Sequence, residues 1–237
     1  MLGCGRVSGR DSRRRRVVVV GASGFGRECL DVVEAMVAAG SELDLVGVVD
    51  DDPSPANLDR LAARGVSHLG SLTDFIGAGD TAVGYVLGVG KPHTRAVLVE
   101  QLDAAGFAAV PAIHPSAVIG SVPSFGPGVV ICSGAVISTN VQLGRHVHIN
   151  PNATVGHDAV LAEFVSINPG AVVSGEVVVG VGTLVGASAT ILQGLLVRED
   201  VVVGAGAVVT RNVPRAVTIK GVPGSWSQSP TGSSASA

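Results

Sequence analysis

Residues 131–173 read ICSGAVISTNVQLGRHVHINPNATVGHDAVLAEFVSINPGAVV, and this stretch decides the fold of the second half of the chain. Every sixth residue from Ile131, in either direction, is aliphatic or Phe, and the series is unbroken over seventeen positions. These positions are Ile113, Ile119, Phe125, Ile131, Ile137, Leu143, Ile149, Val155, Leu161, Ile167, Val173, Val179, Val185, Ile191, Val197, Val203 and Val209.

A repeat of six residues predicts one short strand and one bend in each unit. Three units close a triangular coil, so each aliphatic side chain points inward and stacks on its equivalent in the next coil. Neighbouring coils pair as parallel strands about 4.8 Å apart. Small residues after the aliphatic positions, such as Gly120, Gly144 and Gly156, are expected to let the corners turn tightly. The pattern predicts a left-handed parallel β-helix over residues 112–224, whereas an ordinary β-sandwich would show loops of uneven length.

The first half of the chain alternates strands with helices instead. A helical pattern runs from Glu28 to Met36, Ser71 is expected to cap a short helix, and Pro92 is expected in the first turn of another. This alternation predicts a small doubly wound, Rossmann-like α/β domain over residues 16–111. Its predicted strands are Arg16–Val20, Leu45–Val49 and Ala82–Leu87.

The two ends have a different composition from the domains between them. Residues 1–15 and the Ser/Gly/Pro-rich residues 225–237 are expected to be a disordered arm and a disordered tail. The run Arg13–Arg16 is interpreted as a solvated part of that arm rather than as a nucleic-acid or membrane patch.

Composition argues against nucleic acid and membrane as partners. The net charge is −3, which does not favour bulk nucleic-acid binding. No apolar stretch is long enough to span a bilayer, and the N-terminus lacks the apolar segment of a signal peptide. Cys4, Cys29 and Cys132 show no metal-ligand spacing, so we expect reduced thiols in a cytoplasmic protein.

The turn GASGFG at 21–26 follows a predicted strand and opens a predicted helix. Its glycines would let backbone N–H groups approach an anion at the helix N-terminus, and acids at the end of the second strand often hold a ribose. The pattern departs from the strict dinucleotide fingerprint, so a nucleotide or nucleotide sugar and a purely structural turn both remain open. A ligand of the domain would lie at the carboxyl ends of the strands, beside Gly24, Asp50 and Gly90.

Polar residues that interrupt the hexapeptide pattern are the candidates for chemistry in the β-helix. His157 follows a corner glycine and precedes Asp158. Imidazole is a suitable general base near neutral pH, and an adjacent carboxylate would orient it. A lone His is more often a surface residue, so the residues alone leave both a catalytic role and a non-catalytic surface role open. Asn150 and Asn168 interrupt the pattern nearby.

A zinc site is the alternative use of these histidines. His146 and His148 are two residues apart on a predicted strand, which would put them on one face, and His157 would be the third ligand. No His lies beyond His157 to complete a wider pattern, so we predict no metal.

The motifs GASGFGRE at 21–28 and GHDAVLAEFVSINPGAVVSG at 156–175 together resemble the bacterial sugar acetyltransferases of the PglD/NeuD type. The resemblance covers roughly residues 16–224. It implies an acetyl-CoA-dependent transferase that acts on an amino sugar carried on a nucleoside diphosphate, or on a sialic-acid hydroxyl in some members. It also implies a homotrimer with active sites between subunits. Apolar residues at outward positions of the repeat, such as Val130, Val172 and Val178, are expected on the faces that pack in that assembly.

The resemblance also assigns roles by position. His157 matches the base, Asp158 the acid that supports it, and Asn150 a polar residue near the acceptor. Three residues depart from the family: Phe25 and Ser166 stand where many members have His, the second beside the thioester, and Gly224–Ser225 replaces Ala-Lys or Ala-Arg. The nucleotide part is matched by Ser23, Gly24, Phe25, Asp50, Asp51 and Gly90, and the coenzyme by Ser166, Gly175, Ala187, Ala205 and Lys220.

The hypothesis that follows is an N-acetyltransferase that transfers the acetyl group directly. His157 would take a proton from the sugar amine as it attacks the thioester, and a backbone N–H near Gly175 would stabilise the oxyanion. No metal is needed because a thioester is already activated. The alternatives are a sugar or sialic acid O-acetyltransferase, and a non-catalytic β-helix protein that only binds a nucleotide sugar or a partner.

Overall fold

The computed structural model describes residues 14–227. Its N-terminal part is a three-stranded parallel sheet with strand order β2-β1-β3, flanked by helices. The predicted strands are all present, and so are the helices expected at Glu28–Met36, after Ser71 and at Pro92. One helix, α2, was not predicted. The elements are β1 (Arg15–Val20), α1 (Gly24–Ala38), β2 (Leu43–Val49), α2 (Pro55–Ala62), α3 (Leu72–Gly77), β3 (Gly84–Leu87) and α4 (Pro92–Ala104).

Two short helices begin at serine caps. Ser71 accepts a hydrogen bond from the Asp74 N–H, and the Asp74 carboxylate accepts one from the Ser71 N–H, which completes a capping box. Ser54 accepts from the Asn57 N–H at the start of α2. These caps fix the starts of α2 and α3, the two helices that follow β2.

The C-terminal part is a parallel β-helix of two-residue strands. They form three sheets of seven, six and five strands, ordered β21-β19-β16-β13-β10-β7-β4, β20-β17-β14-β11-β8-β5 and β18-β15-β12-β9-β6. The strands are β4 (Ala112–Ile113), β5 (Val118–Ile119), β6 (Ser124–Phe125), β7 (Val130–Ile131), β8 (Val136–Ile137), β9 (Gln142–Leu143), β10 (His148–Ile149), β11 (Thr154–Val155), β12 (Val160–Leu161), β13 (Ser166–Ile167), β14 (Val172–Val173), β15 (Val178–Val179), β16 (Leu184–Val185), β17 (Thr190–Ile191), β18 (Leu196–Val197), β19 (Val202–Val203), β20 (Val208–Val209) and β21 (Thr218–Ile219).

In β4 to β20 the second residue of each strand is the aliphatic or Phe of the six-residue repeat. It points into the coil and stacks on its equivalent in the next coil, as Ile149 does between Ile131 and Ile167. These side chains form one continuous apolar core along the helix axis. The first coil is only half-buried at Ile113 and Ile119, because no coil covers it.

The corners turn at a different position from the one expected. The residue with left-handed backbone is the third after each aliphatic, for example Asn152 (φ 58°) and Asp158 (φ 59°). The glycine directly after the aliphatic has another function: a Cβ on Gly156 would collide with the backbone nitrogen of Gly175 in the next coil. These glycines therefore permit close stacking of coils.

The N-terminal domain covers the outer face of the seven-stranded sheet around β7, β10 and β13, whereas Val202 on β19 of the same sheet is exposed. Val130 and Cys132 pack with Cys29 of α1 in one apolar cluster, so Val130, which we expected on an assembly surface, is fully buried within the chain. The outer faces of the other two sheets keep exposed apolar side chains, namely Val118, Val136 and Val178.

The predicted arm and tail fall mostly outside the described residues. Where they overlap, Arg15 pairs with Leu43 in the sheet, Ser225 and Lys220 exchange backbone hydrogen bonds, and Trp226 packs on the core. Within residues 14–227, no helix has the length and apolar character needed to cross a bilayer.

Candidate functional site

The imidazole of His157 lies at the corner that follows β11 and is hydrogen-bonded to its neighbour. Its Nδ1 is 2.8 Å from a carboxylate oxygen of Asp158, and the other oxygen accepts from Asn140 Nδ2 at 3.0 Å. The hydrogen bonds from Asn140 and His157 lower the pKa of the Asp158 carboxyl. An ionised Asp158 favours the tautomer in which Nδ1 carries the proton and Nε2 is an acceptor. Both side chains are 47% exposed, so Nε2 is open to a reactant.

Gly175 lies under the His157 ring, one coil further along the helix. A Cβ at Gly175 would lie 2.5 Å from His157 Nε2, so only glycine leaves room for this position of the imidazole. The Gly175 N–H makes no backbone hydrogen bond within residues 14–227. This corner therefore combines a supported imidazole with an adjacent backbone donor.

The GASGFG turn opens α1 as predicted. Ser23 is the N-terminal cap residue and makes no side-chain cap hydrogen bond, and no atom lies within 4 Å of the place that a Cβ on Gly24 would occupy. An anion can therefore approach the first N–H groups of this fifteen-residue helix.

The acids after β2 hold backbone in place as well as lining a cavity. Asp50 accepts from the Ala22 N–H and Asp51 from the Leu72 N–H, each at 2.7 Å. With Asp52 they border a cavity of about 260 Å³ at the carboxyl ends of the strands, whose apolar wall includes Leu72 and Leu98. The cavity lies at the carboxyl ends of the strands, where a ligand was expected, and Asp50 lines it, but Gly24 and Gly90 do not.

A second cavity, of about 300 Å³, lies between the two domains and is here called the interdomain cavity. It brings together five of the predicted site residues. The Phe25 ring packs against the His148 ring at a tilt of 32°, with centroids 4.7 Å apart, and Asn150 Nδ2 donates to the Ile167 carbonyl at 3.0 Å. Its lining consists of Gly24, Phe25, Glu28, Gly90, His148, Asn150, Ser166, Asn168 and Pro169.

Two buried polar residues beside this cavity were not predicted. His148 is 1% exposed, and burial beside Arg95 holds its pKa well below the ordinary value, so it is neutral. Arg95 is fully buried on α4 and donates to Ser166 Oγ at 2.9 Å. The spacing of Arg95, Val99 and Leu102 puts Arg95 on the apolar stripe of a helix, and this was the available sequence signal.

The residues matched to the coenzyme are divided between two corners. Ala187 and Ala205 follow strands of the seven-stranded sheet, whereas His157 and Gly175 follow strands of the six-stranded sheet. Lys220 borders a further cavity of about 380 Å³ with Trp226 near the end of the β-helix. Neither His157 nor Asp158 lines the interdomain cavity.

The three histidines of the zinc alternative do not converge. His146 lies at a corner with φ 54°, before the two-residue strand rather than on it, and its ring stacks between Tyr85 and Phe164. His148 contacts Phe25, and His157 lies on another corner. In the described part of the chain no group of His, Cys, Asp or Glu side chains has the arrangement of a metal site.

Known proteins match both halves of the chain. The family described as the PglD N-terminal domain matches residues 16–102. Among solved structures, a variant of perosamine N-acetyltransferase from Caulobacter crescentus, in complex with CoA and GDP-perosamine, is 29% identical with a TM-score of 0.79. The match covers 90% of this chain and 97% of that one. Among curated proteins, none matches the chain.

Two further structures extend the comparison. The acetyltransferase domain of PglB from Neisseria gonorrhoeae, in complex with acetyl coenzyme A, is 28% identical with a TM-score of 0.77 over 90% of this chain and 99% of that one. WeeI from Acinetobacter baumannii is 26% identical with a TM-score of 0.65 over 89% and 98%. These matches confirm the predicted fold class, an α/β domain followed by a left-handed β-helix.

Proposed function

We propose that this chain is a sugar acetyltransferase of the hexapeptide-repeat family and that it transfers the acetyl group of acetyl-CoA to the amino group of a nucleotide-linked amino sugar. The observation that carries the proposal is the His157–Asp158 pair, which presents an open imidazole Nε2 beside the Gly175 backbone. The proposal is supported by the 29% identical perosamine N-acetyltransferase variant, whose structure holds CoA and GDP-perosamine.

The chemistry follows from the needs of an amine nucleophile. The sugar must react as the neutral amine, because an ammonium group has no lone pair for the thioester carbon. The nitrogen becomes positive as the C–N bond forms, so a base must take one of its protons. His157 Nε2 is that base, Asp158 orients the ring through Nδ1, and the proton ends on the imidazole. The thioester oxygen becomes negative as the tetrahedral intermediate forms, and the Gly175 N–H is a donor for it. The intermediate then expels CoA as its thiolate.

The acceptor would span both cavities, namely the one bordered by Asp50–Asp52 and the interdomain cavity. The nucleoside lies in the cavity of Asp50–Asp52, the diphosphate crosses the N-terminus of α1 at Ser23 and Gly24, and the amino sugar enters the interdomain cavity beside Phe25 and Asn150. Acetyl-CoA would lie along the corner of Ala187 and Ala205 towards Lys220. Ser166, matched to the coenzyme, borders the acceptor cavity and so lies where the two substrates meet.

Replacing Gly24 by Val tests the acceptor part of this arrangement. The new side chain meets no protein atom at its Cβ, so the fold is expected to persist while the methyl groups exclude the diphosphate. We expect KM for the nucleotide sugar to rise by about 10-fold or more, with KM for acetyl-CoA unchanged, in steady-state kinetics. An equal rise in both values would contradict this binding mode.

Within a single chain, His157 and Asp158 do not line the interdomain cavity that would hold the amino sugar. We therefore propose a homotrimer with active sites between subunits. The exposed Val118, Val136 and Val178 on the two uncovered sheets would be buried by such packing. Light scattering at micromolar concentration is expected to return three times the chain mass of 23.6 kDa. A monomer mass would contradict the composite site.

The cytoplasm is the proposed location, in keeping with the free thiols of Cys29 and Cys132. A sugar O-acetyltransferase and a non-catalytic nucleotide-sugar binder are the two alternatives. CoA release, measured with nucleotide-linked amino sugars and with matched sugars that carry only hydroxyls, separates all three. The proposal predicts turnover with amines alone; turnover with hydroxyls alone supports O-transfer, and binding without turnover supports the non-catalytic alternative.

A further inference from the structure

The guanidinium of Arg95 is a buried cation with no carboxylate partner in residues 14–227. Burial lowers the pKa of Arg95 to about 9, so the group still carries its charge at neutral pH. An unpaired buried charge is costly unless its donors are satisfied by hydrogen bonds. Nε of Arg95 has no acceptor within residues 14–227, so Nη1 and Nη2 make its hydrogen bonds, and the acceptors of these two atoms indicate the role of the residue.

Those acceptors lie on both domains. Nη1 donates to the carbonyls of Val89 at 3.1 Å and Gly90 at 2.9 Å, in the loop between β3 and α4. Nη2 donates across the domain boundary to the Phe164 carbonyl at 2.7 Å and to Ser166 Oγ at 2.9 Å. The planar guanidinium thus binds the loop and a coil of the β-helix at the same time, which an ammonium group cannot reproduce.

The loop that Arg95 holds is the wall shared by the two acceptor cavities. Val89 lines the cavity of Asp50–Asp52, and Gly90 lines the interdomain cavity. No atom lies within 4 Å of the place that a Cβ on Gly90 would occupy, so a ligand can approach this backbone closely. Any ligand that spans both cavities must pass this wall.

We propose that Arg95 is a positioning residue for the acceptor: its forked hydrogen bonds fix the Val89–Gly90 backbone against the β-helix, at the distance that a nucleoside diphosphate and its sugar require. The inference rests on the proposed function, because it concerns the binding of that acceptor. Arg95 touches no reacting atom, and its effect is transmitted through Gly90. Within residues 14–227, Arg95 hydrogen-bonds to Ser166 but to none of the other residues matched to the coenzyme, namely Gly175, Ala187, Ala205 and Lys220. CoA affinity is therefore expected to depend on Arg95 much less than nucleotide affinity does.

The experiment measures the affinities of GDP, UDP and CoA by calorimetry for the full chain and its variants. The wild type is expected to bind GDP or UDP, and failure to bind either contradicts the proposed acceptor rather than the role of Arg95. Arg95→Lys keeps the charge and loses the fork, so its affinity for that nucleotide is expected to fall by about 10- to 100-fold, with CoA affinity within about twofold of wild type.

Two further variants keep the result interpretable. Arg64→Lys changes an arginine of the same domain that pairs with Asp31 and Glu34, and it should bind all ligands like the wild type. Ser166→Ala removes one acceptor and leaves the guanidinium, so nucleotide affinity should fall by about two- to tenfold. The proposal would be overturned if Arg95→Lys kept wild-type nucleotide affinity, or if it lost nucleotide and CoA affinity equally. Either result would mean that Arg95 only stabilises the fold.

Discussion

Replacing His157 by Ala is expected to lower kcat by about 10²- to 10⁴-fold on the true acceptor, with acetyl-CoA affinity nearly unchanged. The physical reason is that the attacking amine must lose its proton, and His157 presents the open imidazole Nε2 beside Gly175. The side chain is half-exposed at a corner, so its removal leaves no large cavity and should not unfold the β-helix. Steady-state kinetics and calorimetry with CoA measure the two quantities.

Two further variants are controls for the result with His157→Ala. Asp158→Asn is expected to lose less than His157→Ala, because Asp158 only orients and tunes the base. His114→Ala removes another histidine, at a corner of the first coil, and should keep normal kcat. If His157→Ala retained near-normal kcat, the base would have to be sought elsewhere, and His148 or a water held by Asn150 would be the next candidates.

The pH dependence provides an internal check on the same pair. The wild-type rate is expected to fall at acid pH, because a protonated imidazole cannot accept the amine proton. The pKa of Asp158 is lowered by its hydrogen bonds, so its carboxylate stays charged below the pH at which a free Asp protonates. A loss of rate on the acid side should therefore not come from Asp158, and a rate that stays constant as the pH is lowered would contradict a base that must be neutral to act.

Replacing Gly175 by Ala is expected to lower kcat by about 10²-fold without touching a titratable group. The added methyl group would lie 2.5 Å from His157 Nε2, which is closer than van der Waals contact permits, so the imidazole must move. A displacement of about 1 Å in a reacting group is enough for a loss of this order. Gly175 lacks a positive φ, so the backbone itself accepts Ala.

Gly77→Ala is the matched control for this substitution. It adds the same methyl group in α3, where no atom lies within 4 Å of the new Cβ, and it should leave kcat unchanged. Normal kcat in Gly175→Ala would mean that the position of His157 over Gly175 has no catalytic importance. A crystal structure of that variant would show whether the ring had moved.

Local patterns were enough to predict the fold and part of the site. The six-residue series fixed every β-helix strand up to Val209, because one inward side chain per unit leaves no other register. The pairing of His157 with Asp158 was predictable because the two are adjacent in sequence. By contrast, α2 has a weak apolar face with Leu61 as its buried residue, so its pattern did not stand out.

The contacts between the domains were not predictable from one sequence. Arg95 hydrogen-bonds to Ser166, which lies seventy-one residues further along the chain, and the contact between the Phe25 and His148 rings also joins distant segments. A charged residue inside a helical pattern is normally solvated, so the position of Arg95 on an apolar stripe was too weak a signal to predict its full burial. The burial of Val130 could not be predicted for the same reason. The repeat shows that its side chain points outward, but the residues that cover it belong to the other domain.

The most direct test of the account is a crystal structure of the chain with CoA and the nucleotide-linked amino sugar that it turns over. The account predicts a trimer in which the nucleotide lies in the cavity of Asp50–Asp52 and the sugar amine is about 2.6–3.2 Å from Nε2 of a His157 at the subunit interface. A sugar amine held far from every His157 in the assembly, or a monomer with the nucleotide bound elsewhere, would contradict it.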